Sequence, residues 1–185
     1  MFKRLAVIAV GALVLLMPTA SVASAGTDHI AVGTHHIAVA KLFRGTAQVE
    51  LQEHFAAEAV LAGLVASNAA NLQDAIEGET YEHTTMYPGF AAQATTEGCT
   101  AAAALFTEIA ADEGVHASAY TLALQALTDS AVRVPKPQTV DPVVITASTP
   151  ACPGTATQDN LLAAMHGEAF AYAKYTAYAL QAARH

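Results

Sequence analysis

Glu113 and His116 stand three residues apart, and at that spacing a carboxylate and an imidazole share one face of a helix. Glu79 and Glu82 repeat the spacing, as do Glu50 and Glu53, and Glu168 stands alone. A single Glu-x-x-His is weak evidence, because solvated helix faces produce many. Two repeats strengthen it. Asn71-Leu72-x-x-Ala75-x-x-Gly78-Glu79 recurs as Asn160-Leu161-x-x-Ala164-x-x-Gly167-Glu168, and Phe43-x-x-x-Ala47-x-x-Glu50 recurs as Phe106-x-x-x-Ala110-x-x-Glu113. Four segments are therefore expected to carry an inward-looking carboxylate each. Such groups are untenable as buried free charges, so a cation should sit among them. Carboxylates with one or two imidazoles are the donors that a pair of iron or manganese ions uses in a bundle core. Tyr87 and Tyr175 each lie about two turns beyond a glutamate on the same face, where a phenol can hydrogen-bond a carboxylate or a metal-bound oxygen species.

Four helical stretches must position these groups. Ala, Leu, Glu and Gln enrichment predicts a helix over about 36–65, with 26–35 frayed. A second helix is expected over 68–96, bent by Pro88. Gly98 interrupts the chain and a third helix covers about 100–127. Five prolines between Pro135 and Pro153 mark a linker at about 130–157, with an extended stretch expected at Val143–Ile145. A fourth helix runs from about 158 to 183. The reading is all-α, a four-helix bundle occupying 26–185.

The order of the repeats suggests circular permutation. The middle of the chain holds one intact pair, whereas the other pair is split between the two ends. In a bundle with one crossover, the helices of Glu50 and Glu79 run parallel. The two or three residues expected between them cannot return about 30 Å, which needs at least about nine extended residues. Either the two helices run end to end, with their glutamates about 44 Å apart and a partner subunit completing each bundle by helix exchange, or the helix ends unwind around Ser67–Asn71. The exchange, in a homodimer, is the expectation.

Lys3 and Arg4, the apolar run Leu5–Met17 and the small-residue triplet Ala23-Ser24-Ala25 read as a secretory signal over 1–25, hence a periplasmic or secreted protein with no membrane association after cleavage. The formal net charge of −8 argues against nucleic acid or an anionic membrane as partner. The two cysteines, Cys99 and Cys152, form no C-x-x-C, which excludes a rubredoxin-type centre or zinc ribbon. Export permits a disulfide between them; two free thiols is the alternative.

The stretch Asn71-Leu-Gln-Asp-Ala-Ile-Glu-Gly-Glu-Thr-Tyr-Glu-His-Thr-Thr-Met-Tyr-Pro88, supported by Leu42–Glu50, Ala103–His116 and Asn160–Tyr175, resembles the rubrerythrins, ferritin-like di-iron proteins. The helix that is usually first lies last here, so the chain resembles a circularly permuted rubrerythrin lacking the rubredoxin domain. The resemblance implies that Glu50, Glu79, Glu113, His116 and Glu168 are ligands of two iron ions, with manganese as the alternative metal. It implies that Glu82 is the carboxylate that moves on and off iron, and that Tyr87 and Tyr175 are the tyrosines beside the site. There is one departure: the family's Glu-x-x-His reads Glu50-Leu51-Gln52-Glu53-His54, with Glu53 at the histidine position and His54 one residue late. Glu53 is the expected ligand and His54 the alternative. The implied activity is peroxidase chemistry on hydrogen peroxide, supplied with electrons by an unidentified exported donor. Ferroxidase action with oxygen, and iron buffering without turnover, are the competing readings.

Overall fold

The computed structural model describes residues 27–184, with side chains from His35 onward. The expected signal segment, 1–25, lies outside the described residues. The described chain is helical and, among those residues, contains no strand.

Four long helical rods appear, two of them interrupted by π-helical turns. The first comprises α1 (Thr27–Val49), the π segment Glu50–Phe55 (π1) and α2 (Ala56–Ala62). The second comprises α3 (Asn68–Tyr81), π2 (Glu82–Met86) and α4 (Tyr87–Thr96). The third and fourth are α5 (Thr100–Ala126) and α6 (Ala156–Ala182). Three expectations need correction. Residues 27–35 belong to α1, because the segment has no proline and Gly33 alone costs only about 1 kcal/mol of helix propensity. Residues 63–67 separate the first two rods, a longer connection than expected. Val143–Ile145 forms no strand; the linker is irregular throughout its proline-rich part.

Packing divides the chain into two compact units. In the first, α1, π1 and α2 group with residues 168–176 of α6. The Phe55 and Phe170 rings meet edge-on at 6.2 Å, and Ala173 is buried. The Lys174 ammonium lies 5.0 Å from the centre of the Tyr175 ring.

The second unit holds 65–167 and the end of α6. Ser67 caps α3, its hydroxyl accepting from the Ala70 amide at 3.3 Å. Buried Asn71 closes the preceding loop: its amide nitrogen donates to the Ala66 carbonyl and its side-chain oxygen accepts from the Ala66 amide. Pro88 lies in the first turn of α4, just after π2. The Tyr87 amide there donates to the Glu82 carbonyl, five residues back. The second rod ends at Gly98, whose φ of +72° is the left-handed conformation glycine tolerates best. The Gly98 amide donates to the Thr95 carbonyl and the Cys99 amide to the Ala94 carbonyl, a Schellman closure. The chain reverses there, so α5 runs antiparallel to α3 and α4.

Tyr87, Phe90 and Phe106 form the aromatic centre of this unit, bordered by Ala94, Ala102, Ala110 and Ala164. Small residues at these contacts let the helices approach closely. Two fasteners tie the hairpin tip to the start of α6. One is the disulfide Cys99–Cys152, with Cα atoms 6.0 Å apart. The other is Glu97, whose carboxylate accepts from the Ala156 and Thr157 amides at 3.2 and 2.9 Å and from the Thr157 hydroxyl at 2.6 Å. A carboxylate at a helix N-terminus is favoured by unsatisfied amides and the helix dipole.

The Thr157 hydroxyl and amide, with help from Gln93, hold the Glu97 carboxyl down at about 2. A depressed carboxyl contributes stability that is complete above its unfolded value near 4.5 and is lost as pH falls toward about 2. Thermal melts of metal-free protein between pH 6 and pH 2 should therefore show a Tm decline in wild type that is smaller in Glu97→Gln, with the variant less stable at pH 6.

Candidate metal centre

Glu79 lies near the end of α3, and Glu113 and His116 lie on α5. Glu79 and His116 stand almost equally far along the chain from the Gly98 turn, so the antiparallel hairpin brings them level. Glu79 and Glu113 are buried, with side chains 3% and 7% exposed. The His116 ring reaches both: its Nδ1 is 2.6 Å from Glu113 Oε2 and 3.2 Å from Glu79 Oε2. One donor atom from each of the three residues lies within 4.8 Å of the others.

The hydrogen bond to Glu113, then that to Glu79, pushes His116 up to about 10 against the opposing cost of burial. In the metal-free protein the ring is thus an imidazolium that partly neutralises two buried carboxylates. Exchanging its proton for a metal ion leaves the same arrangement with a larger charge at its centre. Two carboxylates and one imidazole converging on a point suit a borderline transition-metal ion, so the residues present fit the metal that the sequence pattern calls for.

Two neighbours of the site were not expected from the sequence. Tyr120 is half-buried, and burial followed by the charges of Glu79 and Glu113 pushes its phenol up to about 12. It therefore keeps its proton at neutral pH beside the carboxylates. Tyr120 follows Glu113 by two helical turns, the same criterion that singled out Tyr87 and Tyr175, so the signal was present. His83 is the second residue of π2, next to Glu82, and its Nδ1–H donates to the Ala110 carbonyl on α5 at 2.5 Å. The ring lies against Gly114, where an added Cβ would come within 2.8 Å of Cε1. No sequence spacing foretells this cross-helix contact.

Glu82 is half-buried at the first residue of π2. Tyr87 is wholly buried, its ring 6.2 Å from Phe90 and 6.0 Å from Phe106. In the first unit, Glu50 Oε2 pairs with His54 Nδ1 at 3.1 Å, while Glu53 is exposed. Glu168 is exposed and Tyr175 half-buried on α6. The structure thus brings together Glu79, Glu113 and His116 in one unit and Glu50 with His54 in the other.

A family model described as Rubrerythrin matches residues 22–124. The chain belongs to the rubrerythrin family. The match spans Glu50, Glu53, Glu79, Glu82, Glu113 and His116, and leaves Glu168 and Tyr175 outside it. A protein named rubrerythrin from Porphyromonas gingivalis (strain ATCC BAA-308 / W83) is 41% identical over 71 residues, 38% of this chain and 36% of the relative. The chain thus matches about a third of that relative's length. No solved structure matches. Membership makes this a ferritin-like, metal-binding helical protein of a family that holds a di-iron centre.

Two outcomes follow from this geometry. Metal binding at pH 8 should release the His116 proton, and affinity should rise with pH and level off above about 10, once the ring has lost its proton. Calorimetric titration in buffers of different ionisation enthalpy measures that proton, and His116→Gln should release about one fewer. Gly114→Ala should destabilise the wild type by about 1–3 kcal/mol through overpacking against His83. In a His83→Ala background the same change should be neutral or stabilising by up to about 1 kcal/mol, since alanine is the better helix former. Urea unfolding of the four metal-free proteins gives that sign change.

Proposed function

We propose that this chain is an exported di-iron oxidoreductase that reduces hydrogen peroxide to water. The observation that carries the reading is the pair of buried carboxylates bridged by His116, inside the segment that matches the rubrerythrin family. When bound, two iron ions, or manganese in their place, supply two electrons; with two protons, hydrogen peroxide becomes two waters.

Glu79, Glu113 and His116 hold metal from the second unit. In the first unit, the ligand candidates are Glu50, Glu168 and one of the pair Glu53 and His54. Glu82 is the carboxylate that changes position, and its place at the start of a π-helical turn supports this, since such turns concentrate at functional sites. Tyr120 keeps its proton at neutral pH beside the Glu79 and Glu113 carboxylates, where it is a candidate proton donor. Tyr87 and Tyr175 are the further phenols assigned to proton handling.

A separate exported reductant is proposed to supply the electrons; Cys99 and Cys152 are joined to each other. Export is supported by the N-terminal sequence and by this disulfide, which needs an oxidising compartment. No described helix is long and apolar enough to cross a membrane. A second copy of the chain is proposed to cover the apolar side chains of the first rod. Phe43 is 70% exposed there, although its repeat counterpart Phe106 is fully buried. Circular permutation with helix exchange accounts for that inequality between repeats.

Stopped-flow mixing of protein loaded anaerobically with two iron(II) per chain tests the reaction. Ferric absorbance should rise much faster with hydrogen peroxide than with oxygen; the reverse order would favour ferroxidase action. Glu113→Ala should lose at least one metal ion per chain by elemental analysis, and an unchanged metal content would remove the ligand assignment.

A further inference from the structure

The first rod departs from its repeat on α5 at one point, and the backbone changes geometry at the same point. Glu50 is followed by histidine at the fourth position instead of the third, and residues 50–55 are π-helical. A π-helix closes i→i+5 hydrogen bonds and has about 4.4 residues per turn, which changes which neighbour shares a face. In an α-helix, side chains at i+3 and i+4 fall about 60° and about 40° from residue i. In a π turn the i+4 side chain falls about 30° away, while i+3 swings more than about 110° off. The extra residue before the imidazole is therefore absorbed by the wider turn.

The side chains follow that geometry. His54 Nδ1 lies 3.1 Å from Glu50 Oε2, and Glu53 is exposed. The same two atom types meet on α5, where His116 Nδ1 lies 2.6 Å from Glu113 Oε2. Glu50 and Glu113 close the two copies of one eight-residue pattern. Glu50-x-x-x-His54 in π register is thus the spatial counterpart of Glu113-x-x-His116 in α register.

Resting on the metal-binding reading above, we infer that His54, rather than Glu53, joins Glu50 as a metal donor, and that π1 exists to present it. The first unit then offers an imidazole beside Glu50, as the second offers His116 beside Glu113. One anionic donor is replaced by a neutral one, which moves the preference toward divalent ions over trivalent ones. His54 and Glu50 side chains are 55% and 38% exposed, so a metal ion reaches them directly from solvent and substitution of His54 disturbs no buried packing.

The test is anaerobic iron(II) titration of the full chain with three variants: His54→Ala, His54→Gln and Glu53→Gln. Its second readout is the count of coordinated histidine nitrogens, from pulsed-EPR couplings of the mixed-valence iron form in protein labelled with 15N-histidine. Wild type should bind two ions and show two kinds of coordinated histidine nitrogen. Both His54 variants should lose one coupling and bind one ion at least tenfold more weakly, whereas Glu53→Gln should keep both couplings and both affinities. Two bound ions with a single histidine coupling in wild type, or loss of an ion in Glu53→Gln, would overturn the inference while leaving the di-iron reading intact. Failure of wild type to bind two ions would overturn both.

Discussion

Two buried carboxylates, Glu79 and Glu113, share one imidazole, and much of the second unit serves to make that affordable. Ionised carboxylates out of water are costly unless a positive partner stands within hydrogen-bonding reach. His116 provides one in the metal-free protein, through bonds of 2.6 and 3.2 Å. A side chain can span both helices only if α3 and α5 are held level. The Gly98 turn sets that register, the Tyr87, Phe90 and Phe106 cluster fixes the spacing, and the bond from His83 to Ala110 clamps the start of π2 against α5. Gly114 is part of the same constraint, since any larger residue would displace the clamp.

The fold was largely legible because it depends on periodicity and punctuation. Ser67, Gly98 and the proline-rich linker ended helices where caps, left-handed conformations and missing amides dictate. The disulfide was open because two cysteines without a motif say nothing of distance, and proximity came only from the packing of α6 beside the hairpin tip. The π turns were illegible for a similar reason. An extra residue in a helical pattern looks like a shifted register, and only the backbone shows that a wider turn absorbs it. For that reason the spacing favoured Glu53, whereas in the structure it is His54 that reaches Glu50.

The site was partly legible. Glu79, Glu113 and His116 follow from helix-face spacing plus a short turn, which together bring them into one place. Tyr120 satisfied the spacing rule but was passed over. His83 had no local signal, because its role comes from a neighbour on another helix. The repeats led to the expectation of four inward-looking carboxylates. Glu79 and Glu113 are buried, whereas their repeat counterparts Glu168 and Glu50 are exposed and half-buried, and Phe43 is 70% exposed where Phe106 is buried. Repetition in sequence fixes which residues can be equivalent, while burial depends on what packs against each copy.

The most direct test of the central claim is crystallographic. Crystals of the iron-loaded protein, measured on both sides of the iron absorption edge, locate each ion without reference to its ligands. The account predicts an anomalous peak within bonding distance of Glu79, Glu113 and His116. Iron peaks confined to the surface, with His116 still hydrogen-bonded to both carboxylates, would contradict it.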